Sequence, residues 1–301
     1  MPSRRCYSRN QSRLFRLKSP AQLCQELKLA REQLNRLLRA KDNYIRWVDQ
    51  ESGRPIQRPK PILENAHKRV AVLLGRIETP DFLHSAVKAR SYVTNAAAHR
   101  PDVATVKIDI KKFYPSTRAQ EVFHFFRDRM ECDGDVAGML ARLLTVDGHL
   151  ATGSSASPIL SFFAYEEMFH EMEQLAASRQ CEMSCYVDDL VFSGPGATRR
   201  LIFDLIEIVK RYRLWAHKTK IFKAGQPKVI TGVAVTKVGS RLPNKRKRTI
   251  SEDYEALEIA SSLHDQSIIM GRLRSRLFEA AQIDEAWKPA AQQISERLKA
   301  L

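Results

Sequence analysis

The chain has 301 residues, with 50 Lys and Arg against 34 Asp and Glu, and its formal charge of +16 points to a polyanionic partner, most simply nucleic acid. Its 44% hydrophobic content excludes wholesale disorder, and its length suits one large domain or two to three small ones. No apolar run reaches the roughly 18 residues of a membrane helix, and five cysteines without CxxC spacing speak against a disulfide framework and a structural zinc site, so a reducing, cytoplasmic setting is expected.

The first 25 residues contain no acid, and Arg4, Arg5, Arg9, Arg13, Arg16 and Lys18 make them basic. That composition suits an organellar transit peptide or an arm lying on phosphates, and the rest of the chain favours the arm. Ser19, Pro20 and Gln22 read as a helix start, and Leu23, Leu27, Ala30, Leu34 and Leu37 continue one amphipathic helix to about Ala40. Residues 53–61 read as irregular and basic, with Arg54, Arg58, Lys60 and three prolines, and residues 70–77 read as helical. Residues 103–110 are β-branched and read as a buried strand; 120–130 and 136–144 read as helices. A small-residue loop at 151–158 opens into one apolar helix over about 159–177. Residues 181–193 form a strand pair centred on Asp188 and Asp189, 201–212 a helix, and 229–238 a third strand region around Gly232. After the basic run at 241–248 the chain is helix-rich, and with no regular βαβ period the fold class is α+β. The scattered Trp47, Trp215 and Trp287 are expected in the core or at an interface.

Asp109 lies between Ile108 and Ile110, and Asp188–Asp189 lies between two apolar runs. Burying such carboxylates unpaired costs several kcal/mol or forces protonation, and adjacent aspartates also repel each other. An Asp-Asp pair by itself is commonly a solvated turn, and Asp109 by itself could pair with Lys107 or Lys111. Together on β-type runs they favour a divalent cation, and three hard oxygen ligands suit Mg²⁺ completed by water and substrate phosphates.

Tyr186-Val187-Asp188-Asp189 resembles the YxDD box of reverse transcriptases, and the segment from Asp109 through Ser116 resembles their first catalytic block. In matching order, residues 54–59 resemble the fingers segment, 152–158 the block before YxDD, and Lys218-Thr219-Lys220 and Gly232 the two later palm blocks. Asn95-Ala-Ala-Ala-His99 is similar to the NAxxH box of bacterial retron reverse transcriptases, and Ile230-Thr231-Gly232 to their VTG box, with Ile for Val.

The resemblance implies a right-hand polymerase: basic arm, helix and fingers over 1–100, palm over 101–238, and a short helical thumb over 239–301. Asp109, Asp188 and Asp189 would be catalytic and would hold two Mg²⁺ ions, or Mn²⁺, with the Ile110 carbonyl as an added ligand. Tyr114 would be the plate under the sugar that excludes a 2′-hydroxyl, with Phe113 the better core aromatic. Arg54 would contact the triphosphate, with Arg58 the competing choice; Gly153 and Ser154 would let backbone approach the nucleotide, and Lys218 would face the pyrophosphate. Asn95 and His99, four apart, would handle RNA, and Lys245, Arg246, Lys247, Arg248, Arg272 and Arg276 would track a duplex through its phosphates. The implied activity is RNA-directed DNA synthesis on a cognate msr-msd noncoding RNA, primed by a guanosine 2′-hydroxyl, yielding branched msDNA in antiphage defence beside a separate effector. Alternatives are a group II intron-like or diversity-generating reverse transcriptase, or a catalytically idle RNA-binding module.

Overall fold

The computed structural model describes residues 6–50 and 52–300, so Arg4 and Arg5 of the expected arm lie outside the described residues. The arm's other arginines are tied to the protein: Arg9 to Glu166, Arg13 to Glu26 and Arg16 to Glu131.

Ser19 accepts the Gln22 amide as a helix cap, but the expected single helix is two, α1 (Pro20–Leu27) and α2 (Arg31–Arg39). Lys28 turns left-handed (φ 57°) and closes α1; the periodicity runs on because both helices bury one leucine stripe, Leu23, Leu27, Leu34 and Leu37. The stretch expected to be irregular forms a hairpin, β1 (Tyr44–Val48) with β2 (Pro55–Pro59). Its prolines take the end positions of β2, where they leave the intervening strand amides intact.

Then follow α3 (Pro61–Leu74), α4 (Tyr92–Ala97), β3 (Thr105–Ile110), α5 (Phe113–Ser116), α6 (Ala119–His124), which continues as a π-helical turn through Arg129, and α7 (Gly134–Leu144). The short ladder β4 (Thr145–Val146) and β5 (His149–Leu150) precedes α8 (Ser157–Ala164) and α9 (Glu166–Ser178), separated by the non-helical Tyr165 where one helix was expected. The remaining elements are β6 (Glu182–Tyr186), β7 (Asp189–Ser193), α10 (Arg199–Arg211), β8 (Ala216–Phe222), β9 (Lys228–Ile230), β10 (Val233–Thr236), β11 (Gly239–Arg241), α11 (Asn244–Ile259), α12 (Leu263–Ile283) and α13 (Lys288–Lys299).

The central sheet is antiparallel with strand order β6-β7-β3-β8, and helices mixed with it make the fold α+β. Strand alternation sends Val106, Ile108 and Ile110 into one core with Leu190, Phe162 and Phe169, while Lys107 and Asp109 share the opposite face. A second core gathers Ile230, Val233 and Val235 with Leu273 and Leu277 of α12 and Ile294 of α13, so it begins ahead of residue 239. Trp47 and Trp215 lie outside the core, with Trp215 66% exposed, whereas Trp287 packs on the second core. No described helix is long and apolar enough to cross a membrane.

Candidate active site

The sheet brings the three aspartates to one end of its two middle strands. Asp109 on β3 stands directly opposite Asp189 on β7. Tyr186 pairs with Asp189, which leaves Val187 and Asp188 as the two-residue turn of the β6–β7 hairpin. Val187 holds φ at 60°, costly for a β-branched residue, and its amide donates to Ser85 Oγ (3.1 Å). Residues 82–85 also bind along β6, with Cys185 N–H donating to Phe82 O (2.7 Å) and His84 N–H to Cys185 O (2.8 Å). The strained turn is thus held from outside. Ile110 donates its amide to Asp188 O (2.9 Å) and pairs with Ala216 on β8.

Gathering these acids has an electrostatic cost. Burial, then the charge of Asp109, pushes the Asp188 carboxyl up to about 6. Burial also raises Asp189, opposed by Lys107, whose Nζ lies 2.6 Å from Asp189 Oδ2. The other oxygen, Asp189 Oδ1, is buried with no hydrogen-bond partner. Asp109 is bound by Nε2 of His217, its cross-strand neighbour on β8. A raised acid and an orphaned carboxylate oxygen at one end of the sheet fit a cation. Among the described residues no group of three or more acid, histidine or cysteine side chains forms a ready-made cage, so an ion here would draw on water and substrate phosphates, as Mg²⁺ does.

No protein-family model matches the chain. The retron Mx162 reverse transcriptase of Myxococcus xanthus is 27% identical over 241 residues, covering 68% of this chain and 49% of that protein. The retron Mx65 reverse transcriptase of the same organism is 28% identical over 252 residues (71% and 58%), and the retron Se72 reverse transcriptase of Salmonella heidelberg 25% over 173 residues (56% and 46%). The chain is a sequence relative of the retron reverse transcriptases. It spans about half the length of the curated relatives it matches. Among solved structures, telomerase from Candida albicans in complex with a telomeric RNA fragment aligns with a TM-score of 0.38 and 13% identity, over 66% of this chain and 42% of that one.

Near these acids, Tyr114 is half-buried, and after burial the nearby Asp188 charge is the next influence raising its phenol. Phe113 is buried against Tyr165 and Phe169. Of the two candidate arginines, Arg58 is bound to Glu64 on α3 (3.2 Å), whereas Arg54 is exposed, makes no ion pair among the described residues, and its charge acts on Asp188. Lys218 is exposed with φ 48° at a bulge in β8, where the register with β3 shifts between Lys107 and Asp109, and its charge acts on Asp189.

Most of the other expected site residues have partners within the protein. Ser154 is buried and bonds His67 Nδ1 (2.6 Å), whose Nε2–H donates to Leu143 O (2.8 Å). Gly153 lies against the β1–β2 hairpin, its amide donating to Gln57 O (3.0 Å). Asn95 and His99 are buried, and α4 ends at Ala97, before His99. His99 bridges Ser193 on β7 and Ser184 on β6, each at 2.6 Å, and Asn95 Nδ2 donates to Thr231 Oγ1 (3.4 Å). Thr231 and Gly232 form the left-handed turn (φ 44° and 79°) between β9 and β10, and a Cβ on Gly232 would lie 2.8 Å from the Arg246 guanidinium. Arg246 also pairs with Glu279 and covers the Tyr92 ring. Arg272 and Arg276 both clamp the buried Asp253, and Arg248 pairs with Glu252. Lys245 and Lys247 are exposed.

Sequence reasoning missed His217 and gave Lys107 only a bland role. Lys107 could have been found from its position two residues before Asp109 on one strand face, but nothing local to His217 signals its partner 108 residues away.

Proposed function

We propose that the chain carries an RNA-directed DNA polymerase of the right-hand type, with a basic arm, helix and fingers over 1–100, palm over 101–238 and thumb over 239–301. The observation that carries this reading is the meeting of Asp109, Asp188 and Asp189 at one strand end, with Asp188 pushed up to about 6. Asp109 and Asp188 would hold Mg²⁺, with Asp189 and the Ile110 carbonyl beside them. Held by these residues, a divalent ion would supply acidity to the attacking hydroxyl and neutralising charge to the triphosphate. Arg54 grips phosphate oxygens, Tyr114 closes the sugar site against a 2′-hydroxyl, and Lys218 faces the leaving pyrophosphate.

The substrates would be deoxynucleoside triphosphates and a structured RNA. By similarity to the retron enzymes, that RNA would be a cognate noncoding transcript and its guanosine 2′-hydroxyl the primer, giving msDNA in antiphage defence with a separate effector. Primer extension on an RNA template with Mg²⁺ tests the polymerase reading. Wild type should extend, and Asp109→Asn should abolish extension while RNA binding persists; unaltered extension by Asp109→Asn overturns the assignment. DNA co-purifying with the neighbouring noncoding RNA, and shifting on debranching, tests the retron part.

A further inference from the structure

We propose that Thr152 is a positioning residue, clipping the β1–β2 hairpin to the loop before α8 and so fixing the backbone that presents Arg54. The Thr152 hydroxyl donates to Pro55 O (2.9 Å) and its oxygen accepts the Gln57 amide (3.1 Å). Next to it, Gly153 N–H donates to Gln57 O (3.0 Å). Both backbone groups of Gln57 are therefore held by two consecutive loop residues, which cover the open edge of β2 as a third strand would. The approach is close enough to need glycine: a Cβ on Gly153 would lie 2.9 Å from Gln57 O and 3.2 Å from Ile56 Cγ2.

Arg54 directly precedes Pro55, and its own carbonyl accepts the Asp49 amide (2.9 Å) across the hairpin. Its carbonyl is held across the hairpin and the carbonyl of the next residue, Pro55, is held by Thr152, while its side chain is exposed and makes no ion pair among the described residues. An arginine held through its backbone keeps its guanidinium available to a phosphate. The far end of the hairpin has a separate anchor, Tyr44 Oη donating to Thr145 O (3.2 Å). Removing the Thr152 hydroxyl thus loosens the chain at Pro55, next to Arg54, while Gly153 and Tyr44 keep the hairpin attached.

The role in nucleotide binding rests on the polymerase reading above; the clip itself does not. Thr152→Val keeps the side-chain shape and removes both hydrogen bonds, and Thr152→Ser keeps the hydroxyl. In primer extension, Thr152→Val should raise the deoxynucleotide KM roughly five- to twenty-fold, with kcat and primer–template Kd within about twofold of wild type, and Thr152→Ser should restore wild-type values. An unchanged KM, an equal rise in primer–template Kd, or a serine variant as impaired as valine would overturn the proposal. A second measurement needs no activity: amide hydrogen exchange at Gln57 should quicken at least about tenfold in Thr152→Val and stay slow in Thr152→Ser. Unchanged exchange at Gln57 overturns the clip, whereas wild type that fails to extend any primer overturns the polymerase reading instead.

Discussion

Acidification from pH 7 to 5 should destabilise the chain through two interior histidines. His67 lies between Ser154 and Leu143 O, and His99 between Ser184 and Ser193, both buried. Burial pushes His67 down to about 4 and His99 to about 3 from the ordinary 6.5. In the fold these rings stay neutral while the unfolded chain takes up protons, so their contribution is complete above pH 6.5 and is lost as pH falls toward the folded values. Integrating from pH 7 to 5, each ring removes ~2 kcal/mol, ~4 kcal/mol together. Asp188 has the opposite sign. Its folded pKa of about 6 lies above the unfolded 3.8, so the fold retains a proton that the unfolded chain has released. Stability from that source grows as pH falls, returning ~1 kcal/mol by pH 5. The net loss is ~3 kcal/mol, on the order of 5 °C in melting temperature for a chain of this size. Thermal unfolding followed by circular dichroism at pH 7, 6 and 5, at constant ionic strength and with EDTA present, measures it. Asp188→Asn removes the offset and should steepen the drop by ~1 kcal/mol. A melting temperature that holds or rises between pH 7 and 5 would refute the reasoning, because it requires the buried rings to be charged in the fold.

Three substitutions extend the same electrostatic logic. At pH 7 without divalent ions, Asp188→Asn should raise stability by ~1–2 kcal/mol by removing a desolvated charge beside Asp109, seen as a higher urea midpoint. A lower midpoint would mean that the carboxylate is better satisfied than its surroundings indicate. Lys228 is fully buried and donates to Arg100 O (2.9 Å), Val103 O (2.6 Å) and Thr105 Oγ1 (2.8 Å). Lys228→Met strands those acceptors and should cost ~2–4 kcal/mol in urea unfolding; a cost near zero contradicts this. Asp253→Asn leaves Arg272 and Arg276 facing each other with no buried anion between them and should cost ~2–4 kcal/mol. Hydrogen exchange should quicken in α11 and α12 first, and unchanged protection there would count against the clamp.

What the sequence disclosed followed from how local each signal was. Asp109 and Asp188–Asp189 were legible because a carboxylate in a β-branched run is anomalous within a few residues, and register then sets Asp109 opposite Asp189. The β1–β2 hairpin was hidden because basic residues and end-placed prolines look like loop, although prolines at strand ends cost no intervening amide. The break at Lys28 had no glycine to announce it. The spacing of Asn95 and His99 was read as a helix face, but α4 stops between them and the partners of His99 lie 85 and 94 residues away. The basic residues follow the same rule. Periodicity placed Arg272 and Arg276 on one face correctly, yet Asp253, 19 and 23 residues upstream, decides that they clamp an internal acid. Arg246 is likewise held by Glu279, 33 residues downstream, and Arg58 by Glu64, whereas Arg54, Lys218, Lys245 and Lys247 stay exposed. A net charge of +16 therefore overstates the surface offered to phosphates in some places and hides it in others, since which cations remain available is set by acids that only the fold brings near. Arg54 shows the positive side of that rule: the hairpin holds its carbonyl, the Thr152 loop holds the adjoining Pro55, and its charge is left free to act on Asp188.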